Sequence, residues 1–157
     1  MKANHDWNHP SHALRGIVIN VATILEKSID SYISKYLSSI EEKQNEIYYF
    51  LLDRMTYEGK RTAFEAILKK NNTQEEFKRT SKKLIDDIRK VIYQRNYFAH
   101  FLINFDPIEA VNHPGEIGFI EFRDGEKTVW YSREKMIKFV ELTNKCILEI
   151  QNLTDNL

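Results

Sequence analysis

Most of the chain consists of stretches in which apolar residues recur every three or four positions, the period of an amphipathic helix. The longest stretch covers residues 12–39, and Ser11 before it is a residue type that caps helix N-termini. Its apolar positions are Leu14, Ile17, Val18, Val21, Ile24, Leu25, Ile29, Ile33 and Leu37. The pattern predicts one long helix near the start of the chain.

Two shorter helical stretches follow. One covers residues 43–55, and the next begins near Thr56 and stops at Asn71-Asn72. Only Tyr57-Glu58-Gly59 separates the two patterns, so a single broken helix is an alternative interpretation.

A capping box marks the clearest helix start in the sequence. Thr73 is followed three residues later by Glu76, a pair in which each side chain satisfies the free backbone amide of the other residue. The helical pattern then runs to about Leu102. Asp106-Pro107 and His113-Pro114-Gly115 interrupt it, so we expect a loop there.

Two short apolar runs near the end of the chain predict a β-hairpin. They cover residues 117–122 and 127–131, and they flank Asp124-Gly125, a dipeptide typical of tight turns. Ser132 is positioned to cap a final helix. The apolar positions of that helix are Met136, Phe139, Val140, Ile147 and Ile150.

These elements together define the expected fold class. We predict a mostly α protein, an up-and-down helical bundle with a small β-hairpin inserted before the last helix. All 157 residues form one domain in this interpretation, with residues 1–10 as a flexible start and residues 116–131 as the hairpin insertion.

Composition narrows the class of protein. With 42% hydrophobic and 29% charged residues, the chain can bury a core without disulfides or structural metals. Cys146 is the single cysteine, the polar start lacks the apolar stretch of a secretory signal, and no apolar run approaches the ~20 residues of a membrane span. We therefore expect a cytoplasmic protein that does not enter the membrane.

The formal net charge of zero hides an uneven distribution. Residues 60–95 hold eleven Lys or Arg against five Asp or Glu, whereas the flanking regions 1–59 and 96–157 are both net negative. Such runs are usually solvated helix faces. The alternative is a modest attraction for a polyanion such as RNA.

Two polar residues interrupt the apolar pattern of the fourth helix. Arg95 falls in the stripe formed by Leu84, Ile88, Val91, Phe98 and Leu102, and Asn96 falls in the adjoining stripe formed by Ile85, Ile92, Ala99 and Ile103. Burying either group unpaired would cost several kcal/mol, so each is expected to have a specific partner or to face a cleft.

His100 completes a candidate site with these residues. Asn96 and His100 are four residues apart and nearly share a helix face, whereas Arg95 and His100 lie about 140° apart on an ideal helix. Arg95 must therefore curl around its own helix or meet His100 of a second copy. A two-fold dimer would bring two Arg-His pairs into one cleft.

The segment Arg95-Asn96-Tyr97-Phe98-Ala99-His100 resembles the signature of the HEPN superfamily (higher eukaryotes and prokaryotes nucleotide-binding). That signature is an Arg, usually followed by a polar residue, and then a His, near the end of a long helix in an all-helical bundle. The resemblance covers the helical frame from about residue 12 to 153, and its specific part is these six residues.

The resemblance implies a homodimer and, as in many members, a metal-independent endoribonuclease of a toxin-antitoxin, antiviral or RNA-processing system, which an antitoxin or another protein partner can control. His100 would then transfer protons, Arg95 would bind the phosphate, and Asn96 would orient the site, with no metal or cofactor. The products would be a 2′,3′-cyclic phosphate and a 5′-hydroxyl. Some members carry a modifiable Tyr two residues after the His; here that position is Leu102, so this form of regulation is not implied.

Two other interpretations of the trio remain open. It can be a polar cluster that fixes the register of a helix or dimer interface. It can also belong to a non-catalytic HEPN-like dimerisation module that binds a nucleotide or a protein partner.

Other polar residues give weaker patterns. Glu26 and Lys60 lie close to apolar helix faces, where long side chains usually keep their charged ends in water, and Lys60 is also a candidate RNA contact. His5, His9 and His12 would share a face of a continuous helix and could bind a transition metal. Pro10 and the polar composition instead favour a frayed terminus, so we predict no metal site.

Overall fold

The computed structural model describes residues 10–122 and 125–157. The first half is helical: α1 spans Pro10–Leu37, α2 spans Glu41–Glu46 and continues through a π-helical turn (Ile47–Leu51) and a 3-10 turn (Leu52–Arg54), and α3 spans Tyr57–Asn71. In the second half, α4 (Gln74–Glu76) passes through a π-helical turn (Phe77–Ser81) into α5 (Lys82–His100), and after a small sheet α7 (Arg133–Asp155) ends the fold. The predicted mostly α class is confirmed.

Side-chain contacts fix the direction of the third helix. Lys60 near the start of α3 meets Asp30, and the hydroxyl of Tyr36 donates to Asn71 at the end of α3. Helix α3 therefore runs parallel to α1. The segment 41–54 returns in the opposite direction between them.

The later helices continue this alternation. Arg15, near the start of α1, reaches the carbonyl of Phe101 just after the end of α5, so α5 runs antiparallel to α1. Leu14 and Met136 line one groove near the starts of α1 and α7, so these two helices are parallel. The up-and-down order of the bundle is thus confirmed.

The core lies where α1, α3, α5 and α7 meet. Ile88 and Val91 on α5 are fully buried, as the helical phase read from the sequence requires. The largest apolar side chains in the centre are Phe64, Phe98, Phe119, Leu25, Ile29, Leu68, Ile85 and Ile150. Among the described elements, α1 and α7 share the most extensive contact.

Three predicted helix starts are confirmed by their hydrogen bonds and one is wrong. The side chains of Thr56, Thr73 and Ser132 accept backbone N–H groups at the starts of α3, α4 and α7, and Glu76 completes the capping box of α4. Ser11, by contrast, lies inside α1, because the helix already begins at Pro10. Proline suits this position, since its missing N–H has no helical partner in a first turn.

The region after α5 differs from the predicted loop. The helix ends at His100 rather than near Leu102, because Phe101 adopts extended backbone and Leu102–Ile103 forms strand β1. A short helix α6 (Pro107–Asn112) then forms, with Asp106 as its N-cap. The same Asp-Pro pair that signals a turn is also a sound helix start.

The predicted hairpin is confirmed and is part of a larger sheet. Strands β2 (Ile117–Glu121) and β3 (Lys127–Tyr131) pair antiparallel, and β1 pairs with the other edge of β2 through Ile103 and Phe119. Gly125 has the positive φ of 104° expected in the turn, while Asp124 lies outside the described residues, as does the predicted flexible start up to His9. Within the ranges that the structure describes, no helix is long and apolar enough to cross a membrane.

Candidate functional site

The predicted site lies at the C-terminal end of α5, where the helix gives way to the sheet. His100 is the last helical residue, and its side chain is exposed. The backbone N–H of Phe101 closes the helix by donating to the carbonyl of Tyr97 over 3.1 Å. The imidazole is therefore presented to solvent at the tip of a rigid element.

An arginine from the first helix holds this helix end. Arg15 donates through Nη2 to the carbonyl of Phe101, and its guanidinium lies 5.6 Å from the ring centroid of Phe119. Unpaired carbonyls at a helix C-terminus attract cations, which explains the position of the side chain. Burial lowers the pKa of Arg15, yet a guanidinium remains charged throughout the ordinary pH range. Arg15 was not predicted, because its partner is 86 residues away in sequence.

Arg95 and Asn96 are partners of each other. Nη1 of Arg95 donates to Oδ1 of Asn96 over 3.3 Å. Arg95 is half-buried and Asn96 is exposed. The expected polar partner is therefore present for both residues, but Asn96 does not interrupt a buried stripe. An α-helix has 3.6 residues per turn, so residues spaced seven apart do not stay on the same face. A row with this spacing gradually turns round the helix towards the surface.

The side chain of Arg95 lies on the side of α5 that faces the start of α3. Burial, reinforced by the negative charge of Glu26, raises the pKa of Tyr57, and the nearby positive charge of Arg95 acts in the opposite direction. The hydroxyl of Tyr57 is buried, with no hydrogen-bond partner among the described residues. Arg95 therefore sits at the margin between the bundle interior and solvent.

Within the chain the three predicted residues are only partly brought together. Asn96 and His100 share the exposed face of α5, and Arg95 joins them through its contact with Asn96. In the described part of the chain no hydrogen bond connects Arg95 with His100. The angular separation predicted from the helix period is thus retained in the fold.

Two tyrosines and a carboxylate form a hydrogen-bonded chain beside the site. The hydroxyls of Tyr93 and Tyr97 lie 2.8 Å apart, and Tyr97 donates over 3.3 Å to Oε2 of buried Glu121. Nζ of Lys127 lies 3.0 Å from the same carboxylate oxygen. Burial, followed by the contact with Tyr93, raises the pKa of Tyr97. Tyr97 therefore remains a neutral donor, and the contact between the two hydroxyls holds the two side chains in place.

Lys60 does not occupy the position that an RNA contact requires. Its side chain is 2% exposed, and Nζ lies 2.7 Å from Oε1 of Glu26 and 2.9 Å from Oδ2 of Asp30. The expectation that its charged end lies in water is wrong for the same reason. The sequence could not show this, because both carboxylates belong to α1, at least 30 residues away.

Possible metal ligands can be assessed only in the part of the chain that the structure describes. Among the residues described, no group of three or more His, Cys, Asp or Glu side chains is arranged to hold an ion. His12 lies in α1, while His5 and His9 lie outside the described ranges. Comparison with known proteins adds no further constraint, because no family model, no curated protein and no solved structure matches this chain.

Proposed function

We propose that this chain is a metal-independent endoribonuclease of the HEPN type that acts as a homodimer on RNA in the cytoplasm. The observation that supports this proposal is the arrangement at the end of α5. Asn96 and His100 are exposed on one face, and Arg95 is held at the edge of that face by Asn96. A base, an amide and a guanidinium are the groups that cleavage of a ribose phosphate by its own 2′-hydroxyl needs.

The proposed reaction needs no external nucleophile. His100 removes the proton of the 2′-hydroxyl, the 2′-oxygen attacks the adjacent phosphorus, and the bond from phosphorus to the 5′-oxygen breaks. The leaving 5′-oxygen then takes this proton from the His100 imidazolium, which gives a 5′-hydroxyl and a 2′,3′-cyclic phosphate and restores the neutral imidazole. Arg95 donates a forked pair of hydrogen bonds to the phosphate oxygens, where negative charge develops, and Asn96 keeps the guanidinium in place.

The separation of Arg95 and His100 on α5 supports the proposed dimer. A second copy, related by a two-fold axis near the end of the helix, places each Arg95 opposite the other copy's imidazole. Light scattering at tens of micromolar tests this step directly. A monomer under these conditions would contradict a composite site and favour the alternative, a non-catalytic module that binds a nucleotide or a protein partner.

The activity itself is tested by incubating purified protein with mixed single-stranded RNA, with and without EDTA. We expect cleavage that survives the chelator, because the nucleophile is part of the substrate and no ion is needed to activate water. DNA of the same sequence is expected to resist cleavage, since it lacks the 2′-hydroxyl. Cleavage only with added metal, or equal cleavage of DNA, would contradict the proposal.

A further inference from the structure

A row of residues that are exposed, apart from the half-buried Asp86, leads along α5 to the candidate site. Its members are spaced by alternating steps of four and three residues, so they share one helix face: Lys82, Asp86, Arg89, Tyr93, Asn96 and His100. At a rise of 1.5 Å per residue, the row is about 27 Å long. It continues the face that carries Asn96 and His100 towards the start of the helix.

The far end of this row is positively charged. Between α3 and α5 lies a groove of about 500 Å³ lined by four cationic side chains and two carboxylates: Lys69, Lys78, Lys82, Arg89, Glu65 and Asp86. Lys82 and Arg89 both contact Asp86, at 2.8 Å and 3.4 Å, so the two cations share one negative charge. The groove therefore carries a net positive charge that suits a phosphate backbone.

Between the groove and His100 stands an exposed aromatic ring. Tyr93 is 55% exposed, although its ring packs edge-on against Tyr97 at 5.3 Å between centroids and 70° between planes. The 2.8 Å contact between the two hydroxyls adds a second restraint. An aromatic ring that is both exposed and fixed loses little conformational freedom when a ligand stacks on it.

From this arrangement we infer that the row on α5 is a track for single-stranded RNA, with Tyr93 as a stacking platform for one base. Lys82 and Arg89 bind the backbone on one side of that base, and the phosphate to be cut lies towards His100 on the other side. The inference rests on the proposed function for its ligand class. Aromatic stacking combined with a positive groove is how proteins hold unpaired strands without reading their sequence.

The test is fluorescence anisotropy of a labelled single-stranded RNA of about ten nucleotides, measured in the His100→Ala background so that the probe is not cut. Tyr93→Ala is expected to weaken binding by about 5- to 100-fold, the usual effect of losing one stacked base. Tyr93→Phe keeps the ring and is expected to stay within a few-fold of the parent. Tyr49→Ala removes another exposed tyrosine, on the helical segment 41–54, and is expected to have no effect.

The positive groove is tested in the same assay by varying the salt concentration. Replacing Lys82 and Arg89 by Ala is expected to flatten the dependence of log affinity on log salt by roughly 0.7 for each cation that contacts the strand. Lys43→Ala is the matched control, because Lys43 is an exposed lysine paired with a carboxylate, Glu46, away from α5.

The outcomes separate this inference from the proposed function. If the parent chain cleaves RNA but Tyr93→Ala and Tyr49→Ala bind the probe as well as the background variant does, the track is wrong and the catalytic assignment stands. If nothing is cleaved but binding depends on Tyr93, the track stands and the catalytic assignment is wrong. Failure to bind the probe, or a Tyr93→Ala variant that changes the oligomeric state instead of the affinity, overturns the inference.

Discussion

Lys60 and Asp30 form an ion pair in the interior of the bundle, with 2.9 Å between Nζ and Oδ2. Burial would by itself lower the pKa of Lys60, but the hydrogen bonds that Lys60 donates to Glu26 and Asp30 outweigh burial and its pKa is raised. Lys60 is therefore charged at neutral pH. Oδ1 of Asp30 is buried without a hydrogen-bond partner in the described structure. The buried carboxylate therefore depends on the ion pair of its other oxygen, Oδ2, with Lys60.

Removing the lysine is expected to destabilise the fold strongly. Lys60→Met leaves Asp30 buried without its main counter-ion, and the loss in the free energy of unfolding should be about 3–5 kcal/mol. Urea unfolding measures it, with Lys82→Met, which breaks an exposed pair, as a control that changes stability by less than ~1 kcal/mol. Adding Asp30→Leu to Lys60→Met should restore part of the loss. A Lys60→Met variant as stable as the parent would contradict the structural role of the pair.

The buried thiol of Cys146 is expected to make the protein sensitive to mild alkali. Burial raises the pKa of this thiol to about 12. Because the folded pKa lies above the unfolded one, the stabilisation is complete below about pH 8.5 and is lost as the pH rises towards the folded value. Between pH 8 and 10 the parent should lose about 2 kcal/mol more than Cys146→Ala, as measured by urea unfolding. Parallel profiles for the two proteins would contradict this assignment.

Substitutions at the candidate site should reduce cleavage without unfolding the protein. His100→Ala removes proton transfer, typically worth 10²–10⁴-fold in rate, and the exposed position of the side chain predicts an unchanged melting temperature. Arg95→Lys should also fail to cleave RNA, because an ammonium cannot donate the parallel pair of hydrogen bonds by which a guanidinium binds a phosphate. His113→Ala is a control at another histidine, which follows α6 and stacks on Trp130 of β3. Equal cleavage by parent and His100→Ala would make the trio an interface cluster.

Arg15 should stabilise the C-terminal end of α5, where His100 lies. Arg15→Ala removes a charged hydrogen bond to the carbonyl of Phe101, which is worth about 1.5–3 kcal/mol. Exchange of the Phe101 amide hydrogen, which closes the last turn of α5, should become faster. Arg54→Ala, at an exposed arginine, is the comparison variant. It should change neither the free energy of unfolding nor the exchange rate of the Phe101 amide hydrogen. Unaltered exchange in Arg15→Ala would show that the helix end is held by other contacts.

Local signals in the sequence predicted the helices and their starts well. The capping box of Thr73 and Glu76 and the cap at Ser132 depend only on neighbours in sequence, and the structure contains both. The apolar phase of α5 also predicted which residues are buried, including Ile88 and Val91. In each case the physical cause lies within one or two helical turns, where the sequence pattern carries it.

Features that depend on distant partners could not be predicted in the same way. Strand β1 is two residues long and exists only because Leu102 and Ile103 pair with β2. The burial of Lys60 requires carboxylates from another helix, and Arg15 finds its acceptor at the far end of α5. Tyr93 lies about one helical turn before Asn96 and two turns before His100. The sequence pattern did not predict its role, because an exposed aromatic residue does not interrupt an apolar pattern.

The packing of α1 against α7 also affects how the chain is made. Helix α1 finds its most extensive partner more than 100 residues later, at the end of the described chain. During synthesis the apolar face of α1 therefore stays exposed or loosely covered until α7 has left the ribosome. A topology with such long-range contacts folds more slowly than a bundle of neighbouring hairpins. The bundle should consequently fold only once α7 has emerged, and chains truncated before α7 should aggregate or be degraded.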